Sequence, residues 1–187
     1  MRTILRGATA LALSSLAFLP VTASAQSSTN PVRFGATAGA TLPVGDFGDV
    51  ADVGFHLGAL ADFRFAGSPV GMRIDGQWHR NAISDFDANS DIIFGAASLT
   101  FEPTAPGSSV VPYALGGIGV YHVKLGGDAL AGVASSELTE TKAGFNVGGG
   151  FKFKLSGFDT FVEARFHTVG TSDSRTNFVP ISFGIIF

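Results

Sequence analysis

Apolar and polar positions alternate along the chain with a period of two. Successive side chains of a β-strand point to opposite faces, so the pattern predicts strands. In the last segment Val179, Ile181, Phe183, Ile185 and Phe187 share one face, and Phe178, Pro180, Ser182, Gly184 and Ile186 the other. Upstream, over 158–168, Val162, Ala164 and Phe166 alternate with Glu163, Arg165 and His167. Over 142–155, Ala143, Phe145, Val147, Phe151 and Phe153 oppose Lys142, Asn146, Lys152 and Lys154. Over 110–124, Tyr113, Leu115, Tyr121 and Val123 are assigned to the apolar face, against Ala114, Gly116, His122 and Lys124. Over 92–102, Ile93, Ala97, Leu99 and Phe101 oppose Ser98, Thr100 and Glu102. Over 70–80, Met72, Ile74 and Trp78 oppose Arg73, Asp75, Gln77 and His79. Over 54–66, Phe55, Leu57, Ala59, Phe63 and Phe65 oppose His56, Asp62 and Arg64. Over 32–42, Phe34, Ala36, Ala38, Ala40 and Leu42 oppose Arg33, Thr37 and Thr41.

These segments predict eight strands, each close to the length a tilted strand needs to cross a bilayer. The connections alternate in length. Residues 66–69, 103–109 and 156–159 form the shorter ones; 43–53, 81–91, 125–141 and 169–177 are longer and more polar. Short periplasmic turns and long outer loops are the asymmetry of an outer-membrane barrel.

Alternation alone fits a soluble barrel as well as one in lipid; the two differ in which face is enclosed. Three features favour lipid. The polar faces carry few charges, of both signs: Arg33, Asp62, Arg64, Arg73, Asp75, Glu102, Lys124, Lys152, Glu163 and Arg165. Charges of opposite sign can neutralise one another when enclosed. The apolar faces are almost free of charge, with Arg80 and Asp91 as exceptions beside a long connection. Aromatics near strand ends (Phe34, Phe55, Phe65, Trp78, Phe101, Tyr113, Tyr121, Phe153 and Phe187) suit two interfacial girdles. Lipid also requires every backbone polar group to be paired, so the sheet must close. The expected fold is all-β: an eight-stranded antiparallel up-and-down transmembrane β-barrel.

The amino terminus gives the compartment. Arg2 and Arg6 precede an apolar run containing Leu11, Leu13, Leu16, Phe18 and Leu19, followed by Ala23-Ser24-Ala25. This order is that of a secretory signal peptide over residues 1–25, leaving a barrel domain over 26–187. Only 14% of residues are charged, well below the roughly 25% usual in soluble domains. A formal net charge of −3 gives no footing for nucleic acid as partner. The chain has no Cys, which excludes disulfides, thiol catalysis and Cys-based metal sites.

Several stretches together carry a family resemblance: Gly39–Phe47 (GATLPVGDF), Pro112–Tyr121 (PYALGGIGVY), Gly144–Phe151 (GFNVGGGF), Phe161–His167 (FVEARFH) and the terminal alternation ending in Phe187. From about Pro31 to Phe187 the chain resembles the small outer-membrane β-barrel proteins grouped with the OmpA and OmpX transmembrane domains. The resemblance implies a monomeric barrel in the outer membrane of a Gram-negative-type cell, without a peptidoglycan-binding domain after it. Phe183, Ile185 and Phe187 look like the C-terminal signal read by the barrel-assembly machinery. The implied partners are outer-membrane lipid, that machinery during biogenesis, and an unidentified extracellular ligand at the long loops.

Candidate chemistry is sparse. Glu163, Arg165 and His167 lie in steps of two on one strand face. Either they form a polar site, or they pack as an interior network with Arg33, Asp62, Arg64, Arg73, Asp75 and Glu102. The second reading is preferred, because side chains just fill an eight-stranded barrel; the same width argues against a diffusion pore. His167 and Thr168, with Ser172 and Ser174 beyond, come nearest to a lipid A-modifying hydroxyl–imidazole pair, but His167 and Thr168 fall on opposite faces. Asp85–Asp91 (DFDANSD) resembles the start of a calcium loop, with Ser90 at the glycine place and Ala96 at the bidentate glutamate place. Asp46, Asp49 and Asp52 read the same way, and a solvated acidic loop is the plainer account of both. His56, His79 and His122 are assigned to polar faces, where they would share a metal only by converging at one height. The expected role is structural, in envelope integrity, or adhesin-like at the surface, with no catalytic residue, cofactor or metal. The alternatives are a lipid A-modifying enzyme and a soluble periplasmic lipocalin-like carrier.

Overall fold

The computed structural model describes residues 31–83, 88–103, 107–126, 139–170 and 175–187. Eight strands follow in chain order: β1 (Val32–Val44), β2 (Gly54–Arg64), β3 (Val70–Ala82), β4 (Asn89–Phe101), β5 (Val110–Gly126), β6 (Thr139–Lys154), β7 (Asp159–Gly170) and β8 (Arg175–Ile186). Each pairs antiparallel with its neighbours in sequence, and β1 pairs with β8, closing the barrel. The closing register runs from Gly35 opposite Ile186 to Val44 opposite Asn177. It is extended by the Phe187 N–H, which donates to the Phe34 carbonyl at 2.8 Å. No edge is left to attract another chain.

Both ends of the sheet lie at one rim, here called the turn end, with the three short connections. Each of those connections holds one glycine at positive φ: Gly67, Gly107 and Gly157 at 73°, 76° and 96°. Glycine adopts that left-handed conformation without steric cost, so the chain reverses in a few residues. The opposite rim, the loop end, carries the other four connections. The strands run further than the alternation suggests, up to 17 residues in β5 and 16 in β6, and so take residues from the expected long loops. The first outer connection is also not simply polar. A 3-10 turn at Gly45–Phe47 seats Phe47 over the barrel mouth, only 9% exposed.

Most of the large apolar side chains face outward. Phe34, Leu99, Ile118 and Phe145 are 62–67% exposed, while Arg73, Lys152, His56 and His79 are 0% exposed inside. A water-soluble carrier would have the opposite arrangement.

Strand β5 departs from expectation. Tyr113, Leu115 and Tyr121 are buried inside, and Ala114, Ile118, Val120, His122 and Lys124 face outward. Tyr113 and Tyr121 therefore leave the proposed girdles, and His122 and Lys124 leave the lumen. The reason is that β5 offers no charged residue in its middle to mark a face, and Gly116, Gly117 and Gly119 blur the contrast further. The phenols decide it, because each finds a hydrogen-bond partner in the lumen. His122 and Lys124 sit near the loop end, where an outward polar side chain reaches the interface rather than hydrocarbon.

Candidate functional site

The site with the most chemistry is the lumen, filled in two layers. In the turn-end layer, inward positions of β1, β2, β3, β6 and β7, with Glu102 just after β4, bring charges together. Arg33, Arg64, Arg73, Lys152 and Arg165 meet Asp62, Asp75, Glu102, Asp159 and Glu163, five of each sign. Equal and opposite charge is what makes such burial tolerable.

Glu163 on β7 is the hub. Its Oε2 accepts from Arg73 Nη1 and from the Tyr113 hydroxyl, both at 2.8 Å. Its Oε1 accepts from Arg165 Nε at 2.9 Å and Nη2 at 2.7 Å. Arg165 Nη1 reaches across to both Asp75 oxygens at 3.0 Å. Arg73 Nε also donates to Asp62 at 3.3 Å, and Lys152 Nζ donates to Asp62 at 3.1 Å and Glu102 at 2.5 Å. Arg64, 40% exposed at the rim, completes the Glu102 pair. Arg33 donates to Asp159 at 2.5 Å and to the Ile186 carbonyl at 3.0 Å, where the barrel closes. The bonds from β2 to β6 and from β3 to β7 join strands four apart in the ring, that is, opposite walls. The Arg73 guanidinium also lies 5.2 Å from the Phe161 ring centre and 5.5 Å from that of Tyr113.

The loop-end layer consists of imidazoles and aromatics. His56 and His79 stack at 4.9 Å, and His167 stacks on Phe178 at 4.7 Å. Phe94 lies 5.4 Å from His79 and 4.8 Å from His167. The Thr41 hydroxyl lies between two ring nitrogens, 3.2 Å from His56 Nδ1 and 2.7 Å from His79 Nδ1. His56 Nε2 pairs with Ser182 Oγ at 2.9 Å, and His167 Nδ1 with the Tyr121 hydroxyl at 2.9 Å.

Of the residues expected in an interior network, Arg33, Asp62, Arg64, Arg73, Asp75, Glu102, Glu163 and Arg165 are in the charged layer. His167 is in the aromatic layer instead. His56 and His79 converge, whereas His122 is outside, bonded to Thr141 at 2.8 Å. Among the described residues no group of three or more His, Asp or Glu is placed to hold a metal ion. Sequence reasoning missed Asp159, although it shares the inward parity of Glu163. It also missed Tyr113 and Tyr121, whose burial the alternation on β5 does not signal.

The Ser182–His56 pair has the atoms of a nucleophile and base. Among the described residues no carboxylate is bonded to the imidazole, and both residues are enclosed, 3% and 0% exposed. His167 and Thr168 do point to opposite sides, while Ser172 and Ser174 lie outside the described residues. So do residues 1–25, expected as a signal peptide, and Asp85–Asp87 of the expected calcium loop; Ser90, at its glycine place, and Ala96, at its glutamate place, are buried on β4. Phe183 and Phe187 are exposed on the outer wall at 59% and 60%, with Ile185 partly buried on the same face.

Solved structures share this architecture. Neisserial surface protein A (NspA) is 16% identical with a TM-score of 0.68, over 83% of this chain and 96% of that one. A major outer membrane protein from Thermus thermophilus is 12% identical with a TM-score of 0.53, over 83% and 98%. The outer membrane enzyme PagL is 18% identical with a TM-score of 0.52, over 83% and 98%. At these identities the likeness is one of fold. No curated protein sequence matches the chain. The family model described as Outer membrane protein beta-barrel domain matches residues 9–187, and the chain belongs to that family.

Proposed function

We propose that this protein resides in the outer membrane as a non-conducting barrel with a structural, envelope-integrity or surface-interaction role, and that it catalyses no reaction. The observation that carries the reading is the inverted polarity of the wall. Phe, Leu, Ile and Val cover the outside while five ion-paired cations lie within. Hydrocarbon is the solvent such a surface fits, and a lumen bridged wall to wall leaves no path for solutes. In this reading both termini are periplasmic and the four loop-end connections face the medium. Those loops would then supply any surface contact, with the barrel as their anchor.

The test is fractionation followed by electrophoresis. The protein should sediment with outer membranes and migrate in SDS as a compact band that shifts only on boiling. A water-soluble preparation with the same mobility before and after heating would overturn the reading. Given a folded barrel, deleting residues 128–137 of the third loop should leave the heat shift intact and abolish whatever cell-surface binding that loop mediates.

A further inference from the structure

The outer wall is electrically asymmetric. On its turn-end half, the outward strand positions are apolar or uncharged, among them Phe34, Phe63, Phe101, Phe151 and Phe183. Outward charges on the described strands occur only near the loop end: Arg80, Asp91, Lys124 and Arg175, three cations to one carboxylate. Three of the four are neighbours. Arg80 faces Asp91 across β3 and β4, and Asp91 faces Lys124 across β4 and β5. Arg80 Nε is 3.9 Å from Asp91 Oδ1, its side chain 45% exposed. Lys124 is exposed, with no ion pair among the described residues. Just below, Trp78 donates from its indole N–H to Asp91 Oδ1 at 3.1 Å and meets Phe55 edge-on at 5.4 Å. An indole with its ring on apolar neighbours and its N–H on a carboxylate marks the level where hydrocarbon gives way to headgroups. Leu57 and Ile93, each 53% exposed, continue the wall toward the hydrocarbon.

We propose that Arg80 and Lys124 bind the phosphate of an outer-leaflet lipid whose acyl chains lie against Leu57, Trp78 and Ile93. The proposal rests on the outer-membrane orientation given above. Asp91 holds the two cations apart on one surface and neutralises one of them, leaving a net positive patch at headgroup depth. A guanidinium presents paired N–H donors to phosphate oxygens, and the flexible lysine closes on the same group from two strands away. Phosphate attached to acyl chains gains from both parts of the surface, and free phosphate from one alone.

Trp78 is the single tryptophan of the chain and lies in the patch, so its emission reports occupancy. The protein is reconstituted in phosphatidylcholine vesicles containing increasing amounts of bisphosphorylated lipid A, or of the same lipid after phosphatase treatment. The expected half-saturating fraction is about tenfold lower for the phosphorylated form. Arg80→Gln with Lys124→Gln should remove that preference. Asp91→Asn should strengthen it, since the amide still accepts from Trp78 and no longer repels phosphate. Equal response to the two lipids, an unchanged double variant, or full competition by millimolar inorganic phosphate would each overturn the proposal. Every sample is also checked for the heat-dependent mobility shift. Loss of that shift counts against the barrel reading itself, whereas a shifted band without phosphate preference sinks only the lipid site.

Discussion

Glu163 accepts hydrogen bonds from Arg73, Tyr113 and Arg165, which arrive from β3, β5 and β7. Replacing it with Gln leaves two buried guanidiniums short of a counter-charge. Breaking a buried pair from one side costs about 3–5 kcal/mol. Glu163→Gln should therefore lower the urea midpoint of the vesicle-bound protein by that equivalent. Glu140→Gln removes the partner of an exposed pair with Lys142 and should cost about 0–1 kcal/mol. Equal midpoints for the two variants would show that the charged layer contributes nothing to stability. At this scale the alternation already separated most of the layer, since Asp62, Arg73, Asp75, Glu163 and Arg165 all fall on inward parity. Which carboxylate each cation would meet was not legible, because partners come from distant segments, 90 residues apart in sequence where opposite walls meet and 126 where the barrel closes.

Strands carry a sharper contrast between their two faces. Ile118 is mid-strand on β5, outward and 62% exposed. Ile118→Arg should cost about 2–4 kcal/mol in a lipid bilayer, the range for a cation at the midplane of a barrel wall. The same change in a water-soluble barrel would be nearly neutral, so urea unfolding in vesicles separates the two. The terminal strand allows a different experiment. Phe187 contributes a backbone bond to Phe34, while its side chain is exposed on the outer wall. Phe187→Gln keeps the backbone bond and alters only the exposed ring. It should refold in detergent like the parent and accumulate in outer membranes at a several-fold lower level. Poor refolding in detergent as well would point to a packing role in place of an assembly signal. Element boundaries were the weakest part of the sequence reading. Strands β5 and β6 extend beyond the expected span, because glycine and threonine near their loop ends give no alternation to follow.

At the scale of the molecule, an apolar outer wall surrounds a lumen with a neutralised charged layer and an aromatic layer. Two such layers, each crossing the full width, should make the barrel silent in planar bilayers, with no stepwise conductance in molar potassium chloride. Discrete channels from pure folded protein would contradict a filled lumen. The outer wall gives direction to the whole: its outward positions are uncharged toward the turn end, and among the described strands its outward charges gather near the loop end.

The sequence by itself determined the strand count, the up-and-down order and, in seven of eight strands, the face that meets lipid. It could do so because a period of two is local, and because strand charges away from the loop end all sort to the inward side. Tertiary structure decided what local pattern does not encode. It turned Tyr113 and Tyr121 inward on a strand whose two faces look alike to a neighbour-by-neighbour reading. It stacked His56 on His79 and sent His122 outside, since facing imidazoles are set by register between strands. It also closed β1 on β8, which brings Arg33 to Asp159 and lets opposite walls exchange charge across the lumen.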